Sequence, residues 1–204
     1  MVRYTGPVCR LSRREGVDLG LKRWRRCGRL NNPPGNRPKK LRTKPTEYAI
    51  RLREKQKLKR IYQISETKMR RYFEKATRQR KMATGDYLIQ LLERRLDNVI
   101  YRMGFAPTRR MARQMVTHGH VRVNGIKTNI PSFLVDVGEE ITISSKMLNN
   151  PDVKKVMEEV KKIGVPSWLE VDFEQGKGRV IALPTAEEAN LPVNTQLIIE
   201  FYSR

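Results

Sequence analysis

The sequence predicts an α+β protein: a mostly helical domain with a basic, extended N-terminal arm, and an inserted helix-turn-helix-hairpin motif backed by a small antiparallel sheet. Three observations predict it. Apolar residues recur at spacings of three and four between residues 46 and 118, as in helices that bury one face. The period changes to two around Asn124-Gly125, a dipeptide suited to a tight hairpin because both central residues need positive φ. Positive charge is concentrated at the front: residues 1–81 hold 27 of the 43 Lys/Arg and 6 of the 21 Asp/Glu, which leaves 16 against 15 for residues 82–204.

Residues 1–45 lack helical periodicity, contain Gly6-Pro7, Pro33-Pro34-Gly35 and Pro38, and repeat basic pairs such as Arg13-Arg14 and Lys39-Lys40. A segment that buries so little is expected to stay extended and to order on a polyanion. Pro45, whose ring presets φ for a first helical position, opens a helix over 46–61 with Ala49, Leu52 and Leu58 among basic residues. Ser65 caps a second helix over 66–81, with Met69, Tyr72/Phe73 and Ala76 on one face. Tyr48, Tyr62 and Tyr72 fall at helical spacing and are read mostly as packing residues. A third helix starts near Thr84 or Asp86, carries Leu88, Leu92, Leu96, Val99 and Met103, and ends at Gly104.

Thr108 caps a short helix over 109–118, with Ala112, Met115 and Val116 turned inward. The hairpin follows, then a strand over Glu140–Ser144 and a helix over 152–163 opened by Asn150-Pro151 and closed by Gly164. Trp168–Phe173 and Arg179–Leu183 form a strand pair, with Trp168 in the core. Residues 192–203 read both ways: Leu197, Ile199 and Phe201 alternate like a strand, whereas Pro192 and the length suit a helix.

The net charge of +22 opposes compaction and favours a polyanionic partner. Nucleic acid fits better than a membrane surface, because 81 residues of charge imbalance carry scattered aromatics rather than an apolar face. No stretch approaches the ~18 apolar residues of a membrane span, so no membrane partner is expected. Cys9 and Cys27 are the only cysteines, and without a secretion signal they are expected as reduced thiols. Gly176-Lys177-Gly178 lacks the spacing of a phosphate-binding loop, and no Cys/His/Asp grouping forms a triad. The chain is therefore read as no enzyme and without a cofactor.

Residues 94–127 carry 8 Lys/Arg against the single acid Asp97. Arg109 and Arg113 stand one turn apart, so both are expected to point outward, with Arg110 on an adjoining face. Arg122 and Lys127 extend that face onto the hairpin. An arginine fork can grip a phosphate with two bonds, so this face is expected to clamp RNA by shape and backbone rather than by base sequence. Asp97 is expected to orient Arg95 or to cap backbone.

The same residues carry a resemblance. Arg95-Leu96-Asp97-Asn98-Val99, Gly104-Phe105, Thr108-Arg109-Arg110, Ala112-Arg113 and His118-Gly119-His120-Val121-Arg122-Val123-Asn124-Gly125 resemble the S-four RNA-binding motif. The flanks narrow it further. Met1–Pro7 with Arg13-Arg14-Glu15-Gly16, Leu52-Arg53-Glu54-Lys55-Gln56-Lys57, Trp168-Leu169-Glu170-Val171-Asp172 and Phe201-Tyr202-Ser203-Arg204 resemble the universal S-four family of ribosomal proteins, of the bacterial or organellar type.

The resemblance implies a primary rRNA-binding protein on the 5′ domain of small-subunit rRNA, which nucleates assembly of the subunit body. It also implies contact with ribosomal protein S-five, a place beside incoming mRNA, an influence on translational accuracy, and a cytoplasmic location in the ribosome (or in an organelle's). It divides the chain into the arm (1–45), a helical domain (46–93) completed by a C-terminal helix within 190–204, and an RNA-binding domain (94–189, core motif about 95–157).

The residues expected to touch RNA are Arg3, Arg10, Arg13, Arg14 and Lys22 in the arm, Arg51, Arg53, Lys55 and Lys57 in the first helix, and Arg70 and Arg71 in the second. In the motif they are Arg95, Arg109, Arg110, Arg113, His118, His120 and Arg122. Lys39, Lys40, Arg42 and Lys44 are candidates for incoming mRNA. Some members of the family bind zinc through four N-terminal cysteines. Here Cys9 and Cys27 stand at two of those positions, Ser12 replaces a third and no fourth is present, so no metal is expected.

Overall fold

The computed structural model describes residues 4–24, 27–35 and 44–203. The chain divides into two compact units, Met1–Leu88 with Leu191–Arg204, and Ile89–Asn190. The division falls inside one helix, a few residues before the sequence-based boundary at 93/94.

The first unit holds α1 (Val8–Glu15), α2 (Glu47–Ile61), α3 (Glu66–Arg78), the start of α4 (Thr84–Glu93), and α10 (Thr195–Tyr202). Leu58, Ile61, Tyr62, Met69, Ala76, Leu88 and Ile198 are buried in it. Phe73 and Tyr202 stack with ring centroids 4.7 Å apart. Caps set the boundaries: Thr46 accepts from the Ala49 N–H, and Ser65 from the Lys68 N–H. Thr46 rather than Pro45 is thus the boundary residue of α2, because a side-chain oxygen can satisfy an orphan donor and a proline ring cannot. The ambiguous C-terminal segment is a helix. Asn194 caps it by accepting from the N–H groups of Gln196 and Leu197, and Glu200 pairs with Arg51 at 2.7 Å.

The arm departs from expectation. Val8–Glu15 is helical and is closed by Gly16 at φ 73°, a left-handed position that suits glycine. Its stability comes from distant partners that periodicity cannot register. The buried Glu15 carboxylate pairs with Arg53 and Arg60 of α2. Arg13 donates to the carbonyls of Asn32 and Pro33 at 2.8 and 3.1 Å, and the buried Ser12 hydroxyl accepts from the Leu19 N–H. Cys9 and Cys27 are joined as a disulfide, with Cα atoms 5.3 Å apart. This corrects the expectation of reduced thiols: counting cysteines reads a compartment, whereas α1 and the turn after it set the proximity.

The second unit contains the rest of α4, α5 (Leu96–Arg102), α6 (Arg109–Thr117), β1 (Val121–Val123), β2 (Ile126–Lys127), β3 (Glu140–Ile143), α7 (Ser145–Leu148), α8 (Pro151–Ile163), β4 (Leu169–Asp172), β5 (Lys177–Val180) and α9 (Ala186–Ala189). Among the described residues its strands form one antiparallel sheet of order β2-β1-β3-β5-β4. Asn124 and Gly125 take φ 49° and 78° in the β1–β2 turn, as the dipeptide requires. Val121 and Val123 turn inward while Arg122 is exposed. They join Val99, Phe105, Met115, Val153 and Trp168 in a single core cluster. Strand β5 begins at Lys177, two residues before the expected Arg179, and leaves Ile181 and Leu183 outside it. A Cβ on Gly178 would lie 2.7 Å from the Met103 sulfur, so this glycine serves packing rather than a phosphate.

The long third helix is broken. Arg95 is extended (φ −65°, ψ 133°) and forms an isolated bridge to Leu134. The Leu96 N–H donates to the Phe133 carbonyl, the Asp97 N–H to Pro131, and the Val135 N–H to Arg94. A strand-like contact from about forty residues downstream thus outcompetes a continuous 3.6-residue period.

Candidate nucleic-acid interface

In the second unit, α6 follows from the capping of Thr108, whose hydroxyl accepts from the Met111 N–H. Ala112, Met115 and Val116 bury its inner face, which leaves Arg109, Arg110 and Arg113 half-buried at its outer margin. They do not simply project outward, as their spacing led us to expect. Arg109 donates from Nε to Asn98 Oδ1 at 2.7 Å, and its guanidinium lies 4.4 Å from the centroid of the Tyr101 ring. Arg113 reaches Asp97 at 3.4 Å. The positive face is tethered to α5 by polar groups.

Arg95 is corrected from RNA contact to core. Its side chain is 0% exposed and forks onto Asp97 through Nε (3.0 Å) and Nη2 (2.6 Å). Asp97 therefore orients Arg95 as expected, and Arg113 as well. Arg122 is exposed, and its register partner across the hairpin is Lys127. His118 is exposed. His120 is half-buried, with Nδ1 3.2 Å from the Ser144 hydroxyl.

In the first unit the predicted basic residues separate into two groups. Lys55 is buried, sits 4.3 Å over the Phe201 ring and donates to Glu66 at 2.8 Å. Arg51 pairs with Glu200 and Glu47, Arg53 with Glu15, and Lys57 with Glu54. These four hold the fold, and Lys55 in particular is corrected from contact to core. Arg10, Arg14, Lys22, Lys44, Arg70 and Arg71 are exposed. Arg3, Lys39, Lys40 and Arg42 lie outside the described residues.

Lys75 and Arg78, which the sequence did not single out, are also exposed on α3, one and two turns after Arg71. The 71, 75, 78 spacing on the polar side of a capped helix was the available signal. Of the three tyrosines expected mostly to pack, Tyr48 is 60% exposed and meets the Phe201 ring at a centroid distance of 5.7 Å.

A groove of about 420 Å³ beside Tyr48 is lined by Arg51, Glu66, Arg70, Phe201 and Tyr202. Burial pushes the Glu66 carboxyl up, but bonds from Lys55, Lys59 and Tyr202 outweigh it and hold Glu66 below its ordinary value. Burial, then the bond to Glu66, raises the Tyr202 phenol far above its ordinary range, so it stays a donor. Glu66 leaves this groove less positive than the exposed side of α3. Among the described residues no group of three or more His, Cys, Asp or Glu could hold a metal ion, and no helix is long and apolar enough to cross a membrane.

Comparison with known proteins agrees with this geometry. The ribosomal protein S4/S9 N-terminal domain family matches residues 3–93, and the S4 domain family matches residues 94–141. Small ribosomal subunit protein uS4 of Thermus thermophilus is 50% identical to the chain, with each protein covered over its full length. The chain belongs to the uS4 family. The uS4 protein of Halothermothrix orenii, at 49%, and the uS4A protein of Symbiobacterium thermophilum, at 50%, match over the same full extent. The S4 domain match takes in α5, α6 and the hairpin, the elements that present Arg109, Arg113 and Arg122.

Proposed function

We propose that the chain is a structural, non-enzymatic constituent of the small ribosomal subunit that binds small-subunit rRNA through two basic faces. Full-length identity of about half to uS4 proteins carries this reading. One face comprises the exposed Arg71, Lys75 and Arg78 of α3, and the other the outer margin of α6 with Arg122; α1 offers exposed Arg10 and Arg14 besides. Because these side chains are charged forks and points rather than a cleft shaped to a base, they act on phosphates.

The proposal extends to finer points that rest on the family resemblance. The RNA target is the 5′ domain, and binding there is early and helps to nucleate the subunit body. Ribosomal protein S-five is a neighbour. The groove between Tyr48 and Phe201 supports a protein-facing surface in the first unit, since its aromatic walls and the Glu66 carboxylate beside Arg51 and Arg70 suit a side chain better than a phosphate. Lys39, Lys40, Arg42 and Lys44 are the candidates for contact with incoming mRNA, and the chain influences translational accuracy from the cytoplasmic ribosome. The three segments 1–45, 46–93 with 190–204, and 94–189 act as arm, helical body and RNA-binding domain.

The test is titration of the 5′ domain of small-subunit rRNA with the full chain, in excess tRNA and at several salt concentrations. The reading expects binding that resists tRNA and whose logarithm falls steeply with the logarithm of salt, by roughly 0.7–0.9 per phosphate contact. Competition by tRNA on equal terms would reduce the chain to a general polyanion binder.

A further inference from the structure

Arg109 of α6 is held from below by a chain of polar contacts whose direction is fixed chemically. Glu93 is 1% exposed. Its Oε2 accepts from Asn98 Nδ2 at 2.8 Å, and its two oxygens accept from Arg102 Nε and Nη2, each at 2.8 Å. Asn98 Nδ2 also donates to the Glu93 carbonyl at 3.0 Å, and Asn98 Oδ1 accepts from Arg109 Nε at 2.7 Å. Only one amide orientation satisfies this arrangement. Flipped, the NH2 group would face a guanidinium and the oxygen a carboxylate.

The residue type is equally constrained. A carboxylate at position 98 would repel Glu93, and a cation would repel Arg109. A neutral group that accepts on one side and donates on the other joins the two. The Tyr101 ring, 4.4 Å from the guanidinium carbon, then fixes the plane of the Arg109 fork.

We infer that Asn98 and Tyr101 are positioning residues of the RNA interface: anchored on buried Glu93, they hold the Arg109 fork in the orientation in which it meets a phosphate. This inference rests on the reading of α6 as an RNA-facing helix. An unrestrained arginine loses rotamer freedom when it binds, and one already oriented loses less, so the tether converts into affinity. Asn98 is 1% exposed, so it acts through Arg109 and not by contact of its own.

The experiment compares Tyr101→Leu, Tyr101→Phe, Asn98→Ala, Arg109→Ala and the double variant Tyr101→Leu/Arg109→Ala in the full chain. Each is titrated against the 5′ domain RNA and melted without RNA. The inference expects Tyr101→Leu to weaken binding about fivefold while Tyr101→Phe, which keeps the ring, binds as wild type. It expects the double variant to bind no more weakly than Arg109→Ala, because a tether has nothing to act on once the fork is gone. Losses that simply add in the double variant, or wild-type binding by Tyr101→Leu, would overturn it. Should Asn98→Ala fail to fold, the Tyr101 series still decides. Wild-type protein that tRNA competes away would overturn the RNA reading itself. Selective wild-type binding weakened by Arg109→Ala but untouched by Tyr101→Leu would overturn the positioning role alone.

Discussion

Replacing Asp97 with alanine should be among the most damaging single changes in the second unit, and the structure gives its size. Asp97 accepts two bonds from Arg95, whose side chain is wholly buried, and one from Arg113, whose side chain is 11% exposed. Alanine removes the carboxylate that holds an arginine with no access to water. Loss of one partner from a buried ion pair costs about 3–5 kcal/mol, most of it the burden of the charge left behind.

The reciprocal change should cost less. In Arg95→Met, Asp97 keeps Arg113 at 3.4 Å and stands in the first turn of α5, where the helix end favours a negative charge by about 0.3–1 kcal/mol. Urea unfolding followed by tryptophan fluorescence reads the difference, in a Trp24→Phe background so that buried Trp168 reports on the second unit. With a slope of about 1–3 kcal/mol per molar, a loss of about 3 kcal/mol moves the midpoint by roughly 1–3 M. A cost below about 1 kcal/mol for Asp97→Ala, or a larger cost for Arg95→Met, would refute the reasoning.

Three further outcomes follow from the same structure. Gly104 sits at φ 80°, and an added Cβ would lie 2.8 Å from a Val160 methyl, whereas Gly125, at φ 78°, has nothing within 4 Å. Gly104→Ala should therefore cost about 2–4 kcal/mol and Gly125→Ala about 1–2, read by the same urea titration; equal costs would contradict the packing argument. Glu66 titrates below its ordinary value of 4.5 in the folded chain. Its stabilisation is thus present above about pH 4.5 and is lost as pH falls through the depressed value. Glu66→Gln should lower the melting midpoint at pH 7 and flatten the acid limb, and an unchanged acid limb would count against the Lys55–Glu66–Tyr202 cluster. Cys9 and Cys27 are separated by 18 residues, for which loop closure predicts a contribution of about 3 kcal/mol. Cys9→Ser should lower the midpoint of the first unit and leave the Trp168 transition unmoved, and a loss in the Trp168 transition would contradict it.

Much of the fold was legible because its boundaries are local. Ser65, Thr108 and Asn150 each cap the helix they precede, and Asn124-Gly125 fixes its hairpin. The failures occur where distant residues decide. Leu134 breaks a helix at Arg95, and Arg53 and Arg60 hold Glu15 and with it α1. The alternation of Leu197, Ile199 and Phe201 could not reveal that Arg51 awaits Glu200. The interface was legible in the same sense. Charge counting found the basic segments, but it could not tell an arginine that meets solvent from one spent inside the protein. Lys55 and Arg95 look like their neighbours in sequence and are buried against Glu66 and Asp97. The acids that claim them also shape the surface that remains.

The most direct test is a footprint of the chain, added alone, on complete small-subunit rRNA. The account predicts backbone protections confined to the 5′ domain, formed without any other ribosomal protein and weakened by Arg71→Ala and Arg122→Ala. Protections that spread over the whole RNA, or that arise only after other proteins have bound, would contradict it.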